Sequence, residues 1–295
     1  VGAASAAIPE VISLRIGGVP EHFNLPWRKL LAGGGLGSID IDAHWEDYPS
    51  GTGAMVSALD DEALDVAVLL TEGAVAGASR SSKFRIVSLY TSSPLIWGVH
   101  VPADSGLVAV RDLEHARYAI SRRGSGSHLM AYAYAQSQGW QTQELVFEVV
   151  GGLDGAIEAF RAGRADVFLW EKFMTKPLVD AGRFRRVDEL VAPWPAFVVC
   201  ASLKALRDKR DAIARVLEEV FPAAAAVRAD PATPNELAER YGLDPADAVQ
   251  WLAVTEWAAT PGIDPTLVYS VADALAALDL LGPAPRDGFV ARIVL

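Results

Sequence analysis

The chain has 295 residues, 51% of them apolar and 21% charged, with a formal net charge of −11. That is room for one large or two ordinary domains with ample core, and the composition is not that of a disordered chain. The acidic balance argues against nonspecific binding to nucleic acid or to an anionic membrane, which needs a basic face. No apolar run approaches the ~20 residues that span a bilayer, so membrane insertion is not expected. The single cysteine, Cys200, excludes an intrachain disulfide and a cysteine-rich metal site. Its setting in Phe197-Val198-Val199-Cys200-Ala201 predicts a buried, inert thiol.

In chain order, polar–apolar alternation predicts a first strand over 11–17. Gly17-Gly18-Val19-Pro20 turns into a helix over 27–32. Gly33-Gly34-Gly35-Leu36-Gly37 has the look of a phosphate loop but follows a helix, so it reads as a helix stop and turn. A second strand over 39–45 leads through Glu46-Asp47-Tyr48-Pro49-Ser50-Gly51-Thr52-Gly53 into a helix over 54–59. The third strand, 64–70, is continuous and Val-rich, as a parallel strand covered on both faces is. It ends at Thr71-Glu72-Gly73, where a helix of small residues begins. A fourth, 84–90, passes through Thr91-Ser92-Ser93-Pro94 to an apolar stretch over 95–101.

From about residue 101 the pattern restarts. Tyr118-Ala119-Ile120-Ser121 is strand-like, and Arg122-Arg123-Gly124-Ser125-Gly126-Ser127-His128 opens a helix over 129–136. Such a turn leaves backbone N–H groups without intrahelical partners, ready for an anion or a polar ligand. The plainer alternative is that Ser125 or Ser127 caps the helix. A strand over 145–150, the turn Gly151-Gly152-Leu153-Asp154-Gly155, a helix over 156–162 and a strand over 165–170 follow. Asp65-Val66-Ala67 running to Glu72 and Asp166-Val167-Phe168 running to Glu171 make a pseudo-repeat of architecture. A helix over 173–178, a short strand over 184–187 and an apolar return over 196–201, after Pro193-Trp194-Pro195, complete this half. Helices are predicted over 205–226, 233–241, 245–258 and 265–280, with Asp244-Pro245 and Asp264-Pro265 each as an N-cap followed by proline at the first helical position.

Two α/β halves, joined by crossovers out and back and closed by helices, resemble a known arrangement. It is carried by Gly17-Gly18-Val19-Pro20-Glu21-His22-Phe23, Ser50-Gly51-Thr52-Gly53, Asp65-Val66-Ala67 with Thr71-Glu72-Gly73, and Gly124-Ser125-Gly126-Ser127. Asp154-Gly155-Ala156 and Gly163-Arg164-Ala165-Asp166-Val167 complete the set, which covers nearly the whole chain after the first ten residues. In order and spacing these are similar to the nitrate/sulfonate/taurine and thiamine-pyrimidine-precursor binding proteins of ABC importers. Pro49-Ser50-Gly51-Thr52-Gly53 with Leu70-Thr71-Glu72-Gly73 resembles a branch with fungal members that has no evident tie to a transporter. The resemblance implies an α/β, two-lobed type 2 periplasmic-binding-protein fold, each lobe a mostly parallel sheet flanked by helices, with C-terminal helices. Lobe 1 would comprise 1–97 plus 199–295 and lobe 2 98–198, with a hinge near 95–101 and 196–201.

In open α/β sheets ligands bind beyond the carboxyl ends of the strands. Those ends supply Phe23, Asn24, Glu46, Ser50, Gly51, Thr52, Thr71, Glu72, Ser92 and Ser93 from the first half. The second half supplies Ser125, Ser127, His128, Trp170 and Glu171, and Trp194 lies beside the return crossover. Glu72 and Glu171 favour an amine or aminopyrimidine edge, whereas the helix starts favour a carboxylate, phosphate or sulfonate. Each has a plainer reading: Glu171 with Lys172 as a surface ion pair, Trp170 and Trp194 as packing, His128 as a cap, and Glu72 as a complement to the helix dipole. His22, His44, His100 and His115 show no metal spacing, and no cofactor or metal is expected.

No Gly-x-Ser-x-Gly elbow, Walker loop, His-Glu-x-x-His or cysteine nucleophile is present, so no catalytic residue is assigned. The expected function is capture of a small-molecule ligand by hinge closure, with an ABC permease as the partner the resemblance implies. The alternatives are an enzyme of thiamine-precursor or related metabolism on the same fold, and a cytoplasmic ligand sensor. The fold also hosts the yeast-type thiamine pyrimidine synthase, whose cysteine-rich motif is lacking here, so its chemistry is not carried over. Residues 1–7 have neither a basic nor an apolar signal region. The expected compartment is the cell envelope by the resemblance, or the cytoplasm if the native chain starts near residue 1.

Overall fold

The computed structural model describes residues 11–281 and 288–291; residues 1–7, read above for a signal region, lie outside them. The first half runs β1 (Ile12–Gly18), α1 (Leu25–Ala32), β2 (Ile41–Asp47), α2 (Thr52–Asp60), β3 (Val66–Leu70), α3 (Thr71–Arg80) and β4 (Phe84–Pro102). The second runs β5 (Arg117–Ile120), α4 (Gly126–Ser137), β6 (Val146–Val149), α5 (Leu153–Arg161), β7 (Val167–Glu171), α6 (Lys172–Asp180) and β8 (Phe184–Ser202). Helices α7 (Leu203–Asp208), α8 (Arg210–Ala229), α9 (Thr233–Tyr241), α10 (Pro245–Val254) and α11 (Pro265–Ala277) follow.

The strands form one eight-stranded sheet in the order β2-β1-β3-β8-β4-β7-β5-β6. Two parallel triplets, β2-β1-β3 and β6-β5-β7, flank the antiparallel pair β4 and β8. β3 reads as a Val-rich run because both its faces are covered: Val66 through Leu69 are all buried.

The triplets share an internal fastening that bears out the pseudo-repeat. In the first, Asp65 accepts from the Arg15 backbone N–H at 2.9 Å and from the guanidinium Nε and Nη2 at 3.2 and 3.0 Å. In the second, Asp166 accepts from Arg117 in the same way, at 2.9, 2.8 and 2.8 Å. Asp65 is buried and also holds Lys209 at 2.9 Å, whereas Asp166 is half-buried. Burial works against ionisation of Asp65, but the Arg15 and Lys209 bonds overcome it and lower its pKa.

Pattern and structure differ at the crossovers. The segments over 84–90 and 95–101 are a single strand of 19 residues, as are those over 184–187 and 196–201. Prolines 94, 193 and 195 look like breaks, yet the β4–β8 ladder absorbs them by shifting register repeatedly, four times between Ile86 and Ile96. The sheet is therefore continuous across both halves. The helix expected over 205–226 is divided at Lys209, whose φ of −137° leaves the helical region. The one expected over 245–258 ends at Val254. The chain beyond it lies along β4 instead, with the Ala258 N–H donating to Tyr90 O at 2.8 Å and Thr91 bridged to Trp257. Asp244 and Asp264 cap α10 and α11 as expected, accepting from Ala246 N at 2.8 Å and Thr266 N at 2.9 Å.

Candidate functional site

The carboxyl ends of the two parallel triplets converge on a cavity of about 50 Å³. Leu70, Leu95, Trp97, Trp170 and Phe197 form its apolar wall. Its polar lining is Glu21, Thr52, Ser127 and Glu171, with Gly51 and Gly126 presenting backbone. A wider mouth of about 300 Å³ shares Val19, Glu21, Pro49 and Trp170 with it and opens past Ser50 and the Gly151–Gly155 turn.

Glu72 lies in the first turn of α3 and is buried just behind the cavity wall. Its Oε2 accepts from Trp194 Nε1 at 2.8 Å, while Oε1 has no partner among the described residues. A Cβ on Gly126 would lie 3.3 Å from that oxygen, so glycine brings the α4 start close to it. Burial pushes the Glu72 carboxyl up to about 7. Glu171 caps α6, its Oε2 accepting from Met174 N at 2.7 Å. Burial, reinforced by the neighbouring Glu21 charge, holds its pKa well above the carboxylate range. The half-buried Glu21 is pushed up to about 7 by the protein packed around it. No lysine or arginine is in the cavity lining among the described residues.

Of the helix-start serines, Ser125 is the cap: its Oγ accepts from His128 N at 3.4 Å. Ser127 reaches the cavity, with its hydroxyl accepting from Ser121 N at 3.0 Å and 3.1 Å from Ser125 Oγ. Thr52 lines the opposite side, its Oγ1 accepting from Leu70 N at 3.2 Å. Arg122 ties the two helix starts together: its guanidinium covers Gly53 at the start of α2 and donates to Ser50 O. A side chain at Gly53 would collide with it.

Other residues taken from the strand ends lie off the cavity wall. His128 accepts from Gly124 N at 3.0 Å and turns its ring edge onto Phe147 at 4.7 Å; burial and Arg123 lower it to about 4, so it is neutral. Phe23 packs behind the wall on Phe197 and Trp251. Asn24 shapes the loop by donating to Val19 O at 2.8 Å. Thr71 donates to Pro195 O at 2.6 Å, and Glu46 is exposed at the end of β2. Ser92 and Ser93 bond the backbone of Glu256.

The pattern did not single out Glu21, Leu95 or Trp97. Glu21 follows β1 as Glu72 follows β3 and Glu171 ends β7, so strand-end position was the available signal. Leu95 and Trp97 sit in a run that reads as a connector.

Among the described residues no cluster of three or more His, Cys, Asp or Glu is placed to hold a metal ion, and no helix is long and apolar enough to cross a membrane.

This topology, with two parallel triplets about an antiparallel crossover pair, is the type 2 periplasmic-binding-protein fold. More particularly, residues 97–190, the stretch from the outward to the return crossover, match the family described as Ca3427-like PBP. The CA3427 gene product of Candida albicans, which defines a family with the generic periplasmic binding protein fold, is 22% identical with a TM-score of 0.89, over 96% of this chain and 98% of that one. The alkanesulfonate-binding protein SsuA of Xanthomonas axonopodis pv. citri, bound to MOPS, is 20% identical with a TM-score of 0.81, over 97% and 100%. The periplasmic aliphatic sulphonate binding protein SsuA of Escherichia coli is 16% identical with a TM-score of 0.72, over 96% and 92%. Comparison with curated protein sequences gives no match.

Proposed function

We propose that this chain is a solute-binding protein that closes two lobes, 1–97 with 199–295 and 98–198, on a small flat nitrogen base of the aminopyrimidine kind. Three carboxyls carry the reading. Glu21 and Glu171 line the cavity, Glu72 stands behind its wall, all three have raised pKa values, and no basic residue is in the lining among the described residues. Such a site gains most from a ligand that brings N–H donors or a positive charge. Trp97, Trp170 and Phe197 supply aromatic surface for a planar ring. Capture needs no bond to be made or broken, and delivery to an ABC permease in the cell envelope is the physiological role the fold suggests.

A sulfonate or carboxylate is the second reading, favoured by the two helix starts at Gly51–Thr52 and Gly126–Ser127 that border the cavity. The same three carboxyls oppose it. Thermal shifts at pH 7 with 4-amino-5-hydroxymethyl-2-methylpyrimidine and with MOPS separate the two. The pyrimidine is expected to stabilise the protein by about 2.7 kcal/mol at a hundredfold excess over its Kd, and Glu171→Gln to abolish that gain. Stabilisation by MOPS with none by the pyrimidine would overturn the assignment.

A further inference from the structure

Outside the cavity, one chain of contacts leads from Glu171 around the edge of the cleft and back to Glu171. Glu171 caps α6. One turn further along that helix Lys176 reaches Asp247 of α10 at 3.3 Å, where the Asp247 side chain is buried. On the same helix Trp251 packs over His22, ring centroids 4.3 Å apart and planes at 37°, and meets Phe23 edge-on at 5.1 Å. His22 follows β1, in the other half of the sheet, and its Nε2 lies 3.5 Å from Glu171 Oε2. The residues beyond α10 then lie along β4 at Tyr90 to Ser93, within the stretch where the β4–β8 ladder shifts register. Helix α10 is thus anchored to each half and to the crossover between them, while none of its residues lines the cavity.

We propose that α10 is a strap across the cleft, fastened by Lys176–Asp247, that slows the opening of the two halves. This rests on the two-lobed solute-binding reading. The fastening is built to let go without leaving a stranded charge. Lys176 has a second carboxylate on its own helix, Asp180, at 2.7 Å, so it stays paired when α10 moves away. Asp247 lies in the first turn of α10, where the helix dipole favours a negative charge whether or not Lys176 is near. His22 and Trp251 supply the opposite anchor: the imidazole is wholly buried, and burial holds it neutral, so it packs against the indole as an uncharged ring.

The test is stopped-flow binding of 4-amino-5-hydroxymethyl-2-methylpyrimidine to the wild type and three variants. Lys176→Met and Asp247→Asn are each expected to raise the dissociation rate three- to tenfold with the association rate within twofold, because only opening is affected. Lys176→Arg, which keeps the ion pair, restores the wild-type rate. A role in folding alone would lower the melting temperature and leave that split unchanged. Wild-type dissociation from Lys176→Met overturns the strap while leaving the binding reading intact. If the wild type does not bind the pyrimidine, the ligand class fails, and small-angle scattering of the ligand-free proteins decides the strap. Lys176→Met should then show a larger radius of gyration than wild type, and superimposable curves overturn the proposal.

Discussion

Replacing Glu72 with glutamine isolates the energetic consequence of burying a carboxyl beside the cavity. The amide keeps an oxygen for the Trp194 N–H, now accepted by Oε2 at 2.8 Å, and removes the ionisation. In the folded chain the carboxyl is pushed from 4.5 up to about 7 by burial. Between those values the folded state holds a proton that the unfolded state has lost, so the stability Glu72 contributes is complete below pH 4.5 and is lost as pH rises through about 7. From pH 6.5 to about pH 8 that loss is about 0.8 kcal/mol. His22, His100 and His128 work in the opposite direction: burial lowers them to about 3, 4 and 4, so they cost stability as pH falls through 6.5. Both proteins carry these histidines, so their contribution cancels in the comparison. Urea unfolding at the two pH values should show the wild type losing about 0.8 kcal/mol more than Glu72→Gln across the window. Parallel pH dependence in the two proteins would mean that Glu72 is not held protonated, and the electrostatic case for a basic ligand would lose one of its three supports.

The repeated Arg–Asp fastening gives a matched pair of substitutions. Asp65→Ala removes a buried carboxylate bonded to Arg15 and Lys209 and should cost about 2–3 kcal/mol. Asp166→Ala breaks the same geometry at a half-buried site and should cost about 1 kcal/mol or less, both measured by urea unfolding. Equal losses would contradict burial as the difference. Cys200 is wholly buried and its thiol is pushed far up by burial, so the native protein should not react with Ellman's reagent and the urea-unfolded protein should react at once.

Much of the architecture is legible in local pattern because each triplet obeys local rules. The Val-rich β3 announces a doubly covered strand, and Asp244-Pro245 and Asp264-Pro265 announce helix starts. The fusion of two segments into β4 and two into β8 was not legible. Proline ends a strand by local rules, whereas here a partner strand more than ninety residues away supplies the bulges that tolerate it. The site divides in the same manner. Gly51, Thr52, Ser127, Trp170 and Glu171 sit at strand ends and helix starts, positions that local pattern identifies, and all line the cavity. Ser92 and Ser93 occupy an equivalent local position, but the segment after α10 takes up their hydrogen bonds, a long-range contact with no local signature. Trp97 reaches the cavity only because β4 continues past Pro94.

The central place of β8 also bears on biosynthesis. Among the described residues, the triplet β2-β1-β3 joins the rest of the sheet solely through β8, which lies between β3 and β4. On the ribosome, Leu70 emerges more than a hundred residues ahead of Ser202, roughly ten seconds at common elongation rates. The strands β4, β7, β5 and β6 have all been made by Glu171 and can assemble without waiting for β8. The triplet β2-β1-β3 is complete earlier still, once Leu70 has been made, so both groups of strands can pair internally before β8 exists. Until β8 follows, β3 and β4 each present an unpaired edge, a template for wrong partners or for each other, which makes this interval the one in which a nascent chain most needs a chaperone.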